Sequence, residues 1–312
     1  MTQIITVTPN PAIDVSTSVG KLAPFTKLRC AAPRQDPGGG GINVARVITR
    51  LGGEVAAVYP AGGVAGQRLR HLMEQEGVQS LAISTAEETR ENFTVFEETT
   101  KQQYRFVLPG AKLAETEWLE CLNVLAATTP RPTFIVASGS LPPGVPADFF
   151  GRMARAAKQI GTKVILDTSG PPLKAALEEG VYLIKPNLSE FRGLTGVAAV
   201  DDAALIDAAR SLIAGNRVAL VALTMGPQGA LLISADEAFR ADGLAIEPAS
   251  VVGAGDSFLG AMIWSLANNG DLGRALRCGV AGGSAALLRP GTDLCWPEDI
   301  ERLAPSVVLH RR

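Results

Sequence analysis

The run Val252-Gly253-Ala254-Gly255-Asp256-Ser257-Phe258 puts glycines and a carboxylate where an apolar periodicity begins. Phe258, Leu259, Met262, Ile263 and Leu266 continue at helical spacing, which predicts a helix over 254–268. Gly253, Ala254 and Gly255 then fall in its first turn, with backbone N–H groups free and pointing outward. Such a turn cradles an anion, because the open amides and the positive end of the helix dipole act together. A carboxylate beside it can take a proton from an attacking hydroxyl while the amides receive charge on a transferring phosphoryl group. The same residues also read as a favourable first-turn acid and ordinary turn glycines, and spacing alone leaves both readings open.

A second cluster, Pro37-Gly38-Gly39-Gly40-Gly41-Ile42-Asn43, opens another helix, so a small polar ligand can come close to its backbone; a plain turn is the alternative. It is not a Walker A loop, since no Gly-Lys-Ser/Thr follows. It is not Gly-x-Gly-x-x-Gly either, because Asn43 and Val44 stand three residues past Gly40 and Gly41. Three more sites follow strand-like runs, where a doubly wound sheet lines its ligand crevice. Asp14, in Asn10-Pro11-Ala12-Ile13-Asp14, suits sugar hydroxyls. Lys185-Pro186-Asn187 with Glu190 suits Mg²⁺, held directly or through water. Thr224-Met225-Gly226-Pro227-Gln228-Gly229 suits a nucleotide loop. Glu190 as a solvated helix residue and the Gly226/Gly229 pair as a hairpin turn are the competing readings. Lys27, Arg29 and Arg90 are cations able to meet a phosphate on a ligand, or simple surface charge.

The elements that must position these residues alternate. Runs at Ile4 to Val7, Thr133 to Val136, Lys163 to Leu166, Val181 to Ile184 and Val218 to Val221 are strand-like. Between them lie helical stretches at 42–51, 115–127, 146–160, 201–214, 254–268 and 271–288. This is the pattern of βαβ units and an α/β, doubly wound, mostly parallel sheet flanked by helices. Two segments, about 13–35 and 89–108, break the rhythm; in the second, Phe93, Val95, Tyr104, Phe106 and Leu108 alternate with other residues. They predict exposed strands forming a small β lid over the site, a dimer surface, or both, inserted in a single domain spanning 1–312.

Composition narrows the classes. With 312 residues, 46% hydrophobic and 33 Gly, the chain can bury a large core. The 29 Lys plus Arg nearly balance 31 Asp plus Glu, so no long-range positive field draws nucleic acid and any anion must be bound locally. No apolar run is long enough to cross a membrane and no basic leader precedes Ile4-Ile5, so a cytoplasmic location is expected. Cys30, Cys121, Cys278 and Cys295 form no Cys-x-x-Cys pair, and the two histidines, His71 and His310, are too few for triad or His-rich metal chemistry.

Taken together with Ser138-Gly139-Ser140-Leu141-Pro142-Pro143-Gly144, the motifs at 10–14, 37–45, 185–190, 224–229 and 253–256 resemble the ribokinase-like PfkB family of sugar kinases from end to end. Within it, the Pro37 to Asn43 run, Lys27-Leu28-Arg29-Cys30 and Gln103-Tyr104-Arg105-Phe106-Val107 resemble the minor bacterial 6-phosphofructokinase branch. The 1-phosphofructokinase and tagatose-6-phosphate kinase branches more often carry Lys where Gly40 stands; they are the rival substrate readings. The resemblance implies transfer from ATP to the 1-hydroxyl of fructose 6-phosphate, with Asp256 as base and Gly253, Ala254 and Gly255 as anion hole. It implies that Asp14, Gly39, Gly40, Asn43, Arg90 and the stretch from Ser138 and Gly139 to Ser140 hold the sugar, with Arg29 or Lys27 at its phosphate. It assigns Lys185, Asn187, Thr224, Gly226, Pro227, Gly229 and Ser284 to ATP, and Asn187 with Glu190 to Mg²⁺. It implies a monovalent cation such as K⁺ on backbone oxygens of Ser250, Val252, Ala286, Arg289, Gly291 and Asp293, and a homodimer paired through the lid strands. A non-catalytic sugar- or nucleotide-binding protein is the distant alternative, opposed by the intact Asp256 and Asn187/Glu190.

Overall fold

The computed structural model describes residues 4–198 and 201–312. Among them, ten strands form the main sheet: β1 (Ile4–Val7), β4 (Val55–Gly62), β5 (Gln79–Thr85), β8 (Phe134–Ser138), β9 (Lys163–Asp167), β10 (Val181–Ile184), β11 (Val218–Thr224), β12 (Gly229–Ile233), β13 (Ala238–Asp242) and β14 (Leu309–Arg311). Their order is β14-β13-β12-β11-β10-β9-β8-β1-β4-β5. The strands from β5 to β11 run parallel, and β12 to β14 add an antiparallel edge. Central strands such as β1 and β8, buried at every position, read as nearly continuous apolar runs because helices cover both faces.

On one face pack α1 (Gly40–Arg50), α2 (Gly63–Gln75), α8 (Ala254–Ala267), α9 (Leu272–Leu287) and α10 (Pro297–Leu303). On the other lie α3 (Glu115–Ala127), α4 (Phe149–Gln159), α5 (Gly170–Glu179), α6 (Leu188–Thr195) and α7 (Asp202–Ala214). Periodicity delineates the longer helices to within a few residues. It does not delineate α2, α5, α6 and α10, which are short or open on Gly or Pro and so carry few periodic positions. The strand order reverses at β1, which lies between β8 and β4, so the chain winds outward in both directions from that point. The crevice for a ligand therefore opens at the carboxyl ends of β1 and β8.

A second sheet, ordered β3-β2-β6-β7, comprises β2 (Ala12–Val19), β3 (Arg34–Gly38), β6 (Arg90–Glu97) and β7 (Gln102–Phe106). The 13–35 segment is not strand throughout: residues 20–33 are an exposed connection between β2 and β3. Pro24 and Pro33 withhold ladder donors there, and no alternating pattern replaces them. Nor is β2 exposed; it is buried over most of its length, paired on both sides. The alternation of the sheet puts Asp14, paired with Asp36 and Asn92, on one face. Phe93, paired with Phe106, lies on the other.

Candidate active site

Helix α8 begins at Gly253, whose φ of 78° is left-handed and whose missing side chain offers no cap. The first bond into the helix is Ser257 N–H to the Gly253 carbonyl at 2.8 Å, so the amides of Ala254, Gly255 and Asp256 keep their donors for a ligand. Leu259, Met262 and Ile263 are fully buried, and at about 1.5–3 kcal/mol each they anchor the helix against the cost of holding a carboxylate at its tip. Asp256 retains some solvent contact, yet protein surrounds its carboxylate. Burial first, then the negative charge of Asp167, pushes it up to about 6; an Asn43 hydrogen bond, Lys185 and Arg105 pull the other way. Asn43, in the first turns of α1, donates Nδ2–H to Asp256 Oδ2 at 2.8 Å.

Lys185, only 7% exposed at the end of β10, lies 3.1 Å from Asp167 Oδ1. Burial lowers its proton affinity, but Asp167, Asp256 and Glu190 outweigh this and hold it charged. A Cβ on Gly255 would lie 3.4 Å from its Nζ, so the ammonium stands beside the open amides of α8. A cation and a row of donors thus converge where Asp256 could deliver a deprotonated hydroxyl.

The polar crevice beyond is built from the ends of β1, β2 and β8. Asp14, 5% exposed, accepts from Asn92 Nδ2 at 2.9 Å. Gly38 touches it so closely that a Cβ there would stand 2.5 Å from its carboxylate. Gly39, at φ 113°, caps α1, and Gly40 packs on the Ser138 side chain. Ser138 donates Oγ–H to Asp167 Oδ2 at 3.3 Å, and Gly139 N–H donates to the Asp167 carbonyl at 3.0 Å. Arg90 donates to the carbonyls of Asn10 (2.8 Å), Pro11 (3.3 Å) and Leu108 (2.8 Å), which ties β6 to the loop after β1.

On the other side of the α8 tip opens a cavity of about 440 Å³. Asn187, Thr224, Gly226, Pro227, Gly229 and Ser284 line it, over an apolar floor that includes Leu244, Ile246, Phe258 and Val280. Gly226 to Gln228 is a tight turn between antiparallel strands, as the hairpin reading expects, and it lies on the wall of this cavity. A wider hollow of about 740 Å³ sits at the amino ends of β9 to β11, lined by Gly161, Gly180 and Ala214 at the carboxyl ends of α4, α5 and α7. The carboxyl ends of those helices disfavour an anion there, whereas Lys158, Lys163 and Arg210 on its wall favour one; none of the residues expected at the site lines it.

Some expected residues are committed elsewhere. Asn187 and Glu190 form a reciprocal cap on α6, Asn187 Oδ1 accepting from Glu190 N–H and Glu190 Oε2 from Asn187 N–H, both at 2.9 Å. That leaves the second Glu190 oxygen for a ligand. Around the expected cation loop, Ser250 Oγ–H donates to the Gly291 carbonyl at 2.9 Å, Arg289 N–H to the Ala286 carbonyl at 3.1 Å, and Arg50 to the Asp293 carbonyl. Arg289 pairs with Asp299 through its guanidinium. Only Ser250, Val252 and Arg289 of the six expected carbonyls keep both lone pairs free of these bonds.

Lys27 and Arg29 are not brought to the crevice by a described contact; both stand exposed on the 20–33 connection. Arg105 on β7 is the cation the sequence reading overlooked, its charge felt by Asp256 and Arg90 alike. Asp167 and Asn92 were also missed. Asp167 closes a strand, and the strand-end argument that picked out Asp14 would have found it.

The family model for pfkB carbohydrate kinases matches residues 7–299. The chain belongs to the pfkB family. Among pfkB kinases it is 44% identical over 300 residues to an ATP-dependent 6-phosphofructokinase isozyme 2 of Mycobacterium tuberculosis, covering 96% of this chain and 88% of the relative. To the isozyme of the same name from Escherichia coli it is 39% identical, with 97% and 98% covered. A 1-phosphofructokinase of Xanthomonas campestris is 34% identical, with 98% of both covered. Crystal structures of the Escherichia coli phosphofructokinase-2 superpose over 98% of this chain and 99% of theirs: the potassium complex at TM-score 0.92 and 39% identity, the fructose-6-phosphate complex at TM-score 0.91 and 38% identity. The ribokinase-like α/β fold expected of a pfkB kinase is thus the fold observed.

Proposed function

We propose that this pfkB kinase transfers the γ-phosphoryl group of MgATP to the 1-hydroxyl of fructose 6-phosphate, giving fructose 1,6-bisphosphate. One observation carries the reading: Asp256, at about 6 and 2.8 Å from Asn43, stands at an uncapped helix start between a polar crevice and an apolar-floored cavity. The cavity takes the nucleotide, its floor meeting the base and Ser284, Thr224 and the 226–229 turn its sugar and phosphates. The crevice takes the ketose, with Asp14, Gly39, Gly40, Asn43, Ser138 and Gly139 around the hydroxyls. Arg90 and Arg105, whose charges bear on Asp14 and Asp256, are the cations taken for its phosphate, and Lys27 or Arg29 reach it only if the 20–33 connection folds in. Asp256 removes the proton, while the amides of Ala254, Gly255 and Asp256 and the Lys185 ammonium receive the migrating charge.

Magnesium fits the donors at the cavity mouth, because it binds through few protein carboxylates and completes its shell with phosphate and water oxygens. The uncommitted Glu190 oxygen, next to Asn187 on the cavity wall, is such a donor, and an ion held there would neutralise phosphate charge. A monovalent cation fits the loop less completely: with Ala286, Gly291 and Asp293 already accepting, Ser250, Val252 and Arg289 carry most of a K⁺ site. We further take the chain as one cytoplasmic domain with the small sheet as lid, dimerising through the outer face that exposes Phe93 and Phe106.

Two relatives named for fructose 6-phosphate chemistry exceed the 1-phosphofructokinase in identity, and Gly40 packed on Ser138 leaves no room for the lysine of the rival branches. A coupled ADP-release assay across fructose 6-phosphate, fructose 1-phosphate, tagatose 6-phosphate and free ketoses tests the reading. Fastest kcat/KM on either of the other phosphosugars overturns the substrate, and no sugar-dependent ADP release overturns the kinase.

A further inference from the structure

Arg46 is fully buried on α1, three residues beyond Asn43, and belongs to none of the motifs that mark the site. Its Nη1 donates to the Pro37 carbonyl at 3.2 Å, the Thr292 carbonyl at 3.2 Å and Asn43 Oδ1 at 3.4 Å. Its Nη2 donates to Glu76 Oε1 at 2.6 Å and lies 3.7 Å from Asp36, which also accepts from Thr292 Oγ1 at 2.9 Å. Three segments, the end of β3, the end of α2 and the 290–293 loop, therefore fix the guanidinium. Only a planar fork of donors reaches all these acceptors at once.

The consequence falls on Asn43. Its two amide ends have nearly the same shape, but only the NH₂ end can face a carboxylate. Asn43 is 4% exposed, and Arg46 is the one donor to its Oδ1 among the described hydrogen bonds. Without Arg46 the buried Oδ1 loses its partner, and a flipped amide would press that oxygen against Asp256. We propose that Arg46 is a positioning residue: it locks the Asn43 amide in the one orientation that donates to the catalytic base, and ties that orientation to β3 and the 290–293 loop.

The inference rests on Asp256 being the base, and a double-mutant cycle tests it with MgATP and fructose 6-phosphate, or fructose 1-phosphate if the parent prefers it. A parent inactive on both sinks the kinase reading rather than this one, and the cycle is then read in the affinity for fructose 6-phosphate by calorimetry. Arg46→Met lowers kcat about tenfold in the parent, the loss of one charge-linked hydrogen bond, and less than about twofold in an Asn43→Ala background. KM for ATP stays put in both. Loss of the Glu76 and Asp36 pairs lowers the melting temperature on either reading; a purely structural role cuts kcat by the same factor in both backgrounds, which overturns the proposal. Arg46→Lys, which keeps a charge beside Glu76 but cannot span Pro37, Asn43 and Thr292, decides the matter if the Met variant does not fold. Additive kcat losses for Arg46→Lys and Asn43→Ala, or full kcat in Arg46→Met, overturn it equally.

Discussion

A base that strips an alcohol must be ionised at working pH and still hold the proton it takes. Burial and Asp167 raise Asp256 to about 6, and Asn43, Lys185 and Arg105 stop it rising further, so it meets both demands at neutrality. kcat/KM is therefore expected to fall as pH drops through about 6 in the coupled assay; a profile flat down to pH ~4, the usual aspartate range, assigns the base elsewhere. Asp167→Asn removes the charge that lifts Asp256, so the acid limb should move to lower pH, and an upward move contradicts the coupling. Asp256→Asn should cost about 10²–10⁴-fold in kcat. Its effect on stability has a definite sign. A carboxyl that titrates near 6 folded and near 3.8 unfolded binds protons better when folded, so stability falls as pH rises between those values and the deficit is complete above the upper one. The variant should then melt higher than the parent in alkaline buffer and match it in acid; a lower melting temperature in alkaline buffer argues that the carboxylate stabilises the fold instead.

The elements carry the next set of consequences. Gly38 closes β3 against the Asp14 carboxylate, and an added Cβ at 2.5 Å must displace that carboxylate or the strand. Gly38→Ala should raise KM for the ketose phosphate at least about tenfold, on the scale of one lost charged hydrogen bond, and leave KM for ATP unchanged. Equal effects on both substrates place Asp14 outside the sugar crevice. Arg90 clamps the start of β6 to the loop after β1 through the Asn10 and Pro11 carbonyls, and to the segment after β7 through the Leu108 carbonyl. Arg90→Ala should raise KM for the phosphosugar far more than for ATP and lower the melting temperature as well; the reverse KM pattern moves the phosphate site. Helix α8 differs from these, because its buried Leu259, Met262 and Ile263 make the anion cradle a rigid part of the core rather than of a loop.

At the scale of the whole molecule the small sheet has one polar face, with Asp14, Asp36 and Asn92, and an outer face on which Phe93 and Phe106 stand directly paired and 41% and 53% exposed. Phe25, Val107 and Leu108 enlarge the exposed apolar surface. Phe106→Asp should convert a dimer to monomers in light scattering, and an unchanged mass puts the interface on another face. The sequence by itself located the open amides at the start of α8, because Gly253, Gly255 and the periodicity from Phe258 to Leu266 are local, and its motif set from 10–14 to 253–256 placed the chain among sugar kinases. It also determined the parallel sheet, since buried strands between helices leave nearly continuous apolar runs. What only the tertiary structure decided are the pairings across distance: Asn43 to Asp256 over 213 residues, Asp167 to Lys185, and Arg105 on the Asp14 face of the small sheet while Lys27 and Arg29 stand exposed on the 20–33 connection. Those depend on β1 lying between β8 and β4 and on the register of the small sheet, and strand order and register are set by the packing of distant segments, which no local spacing encodes.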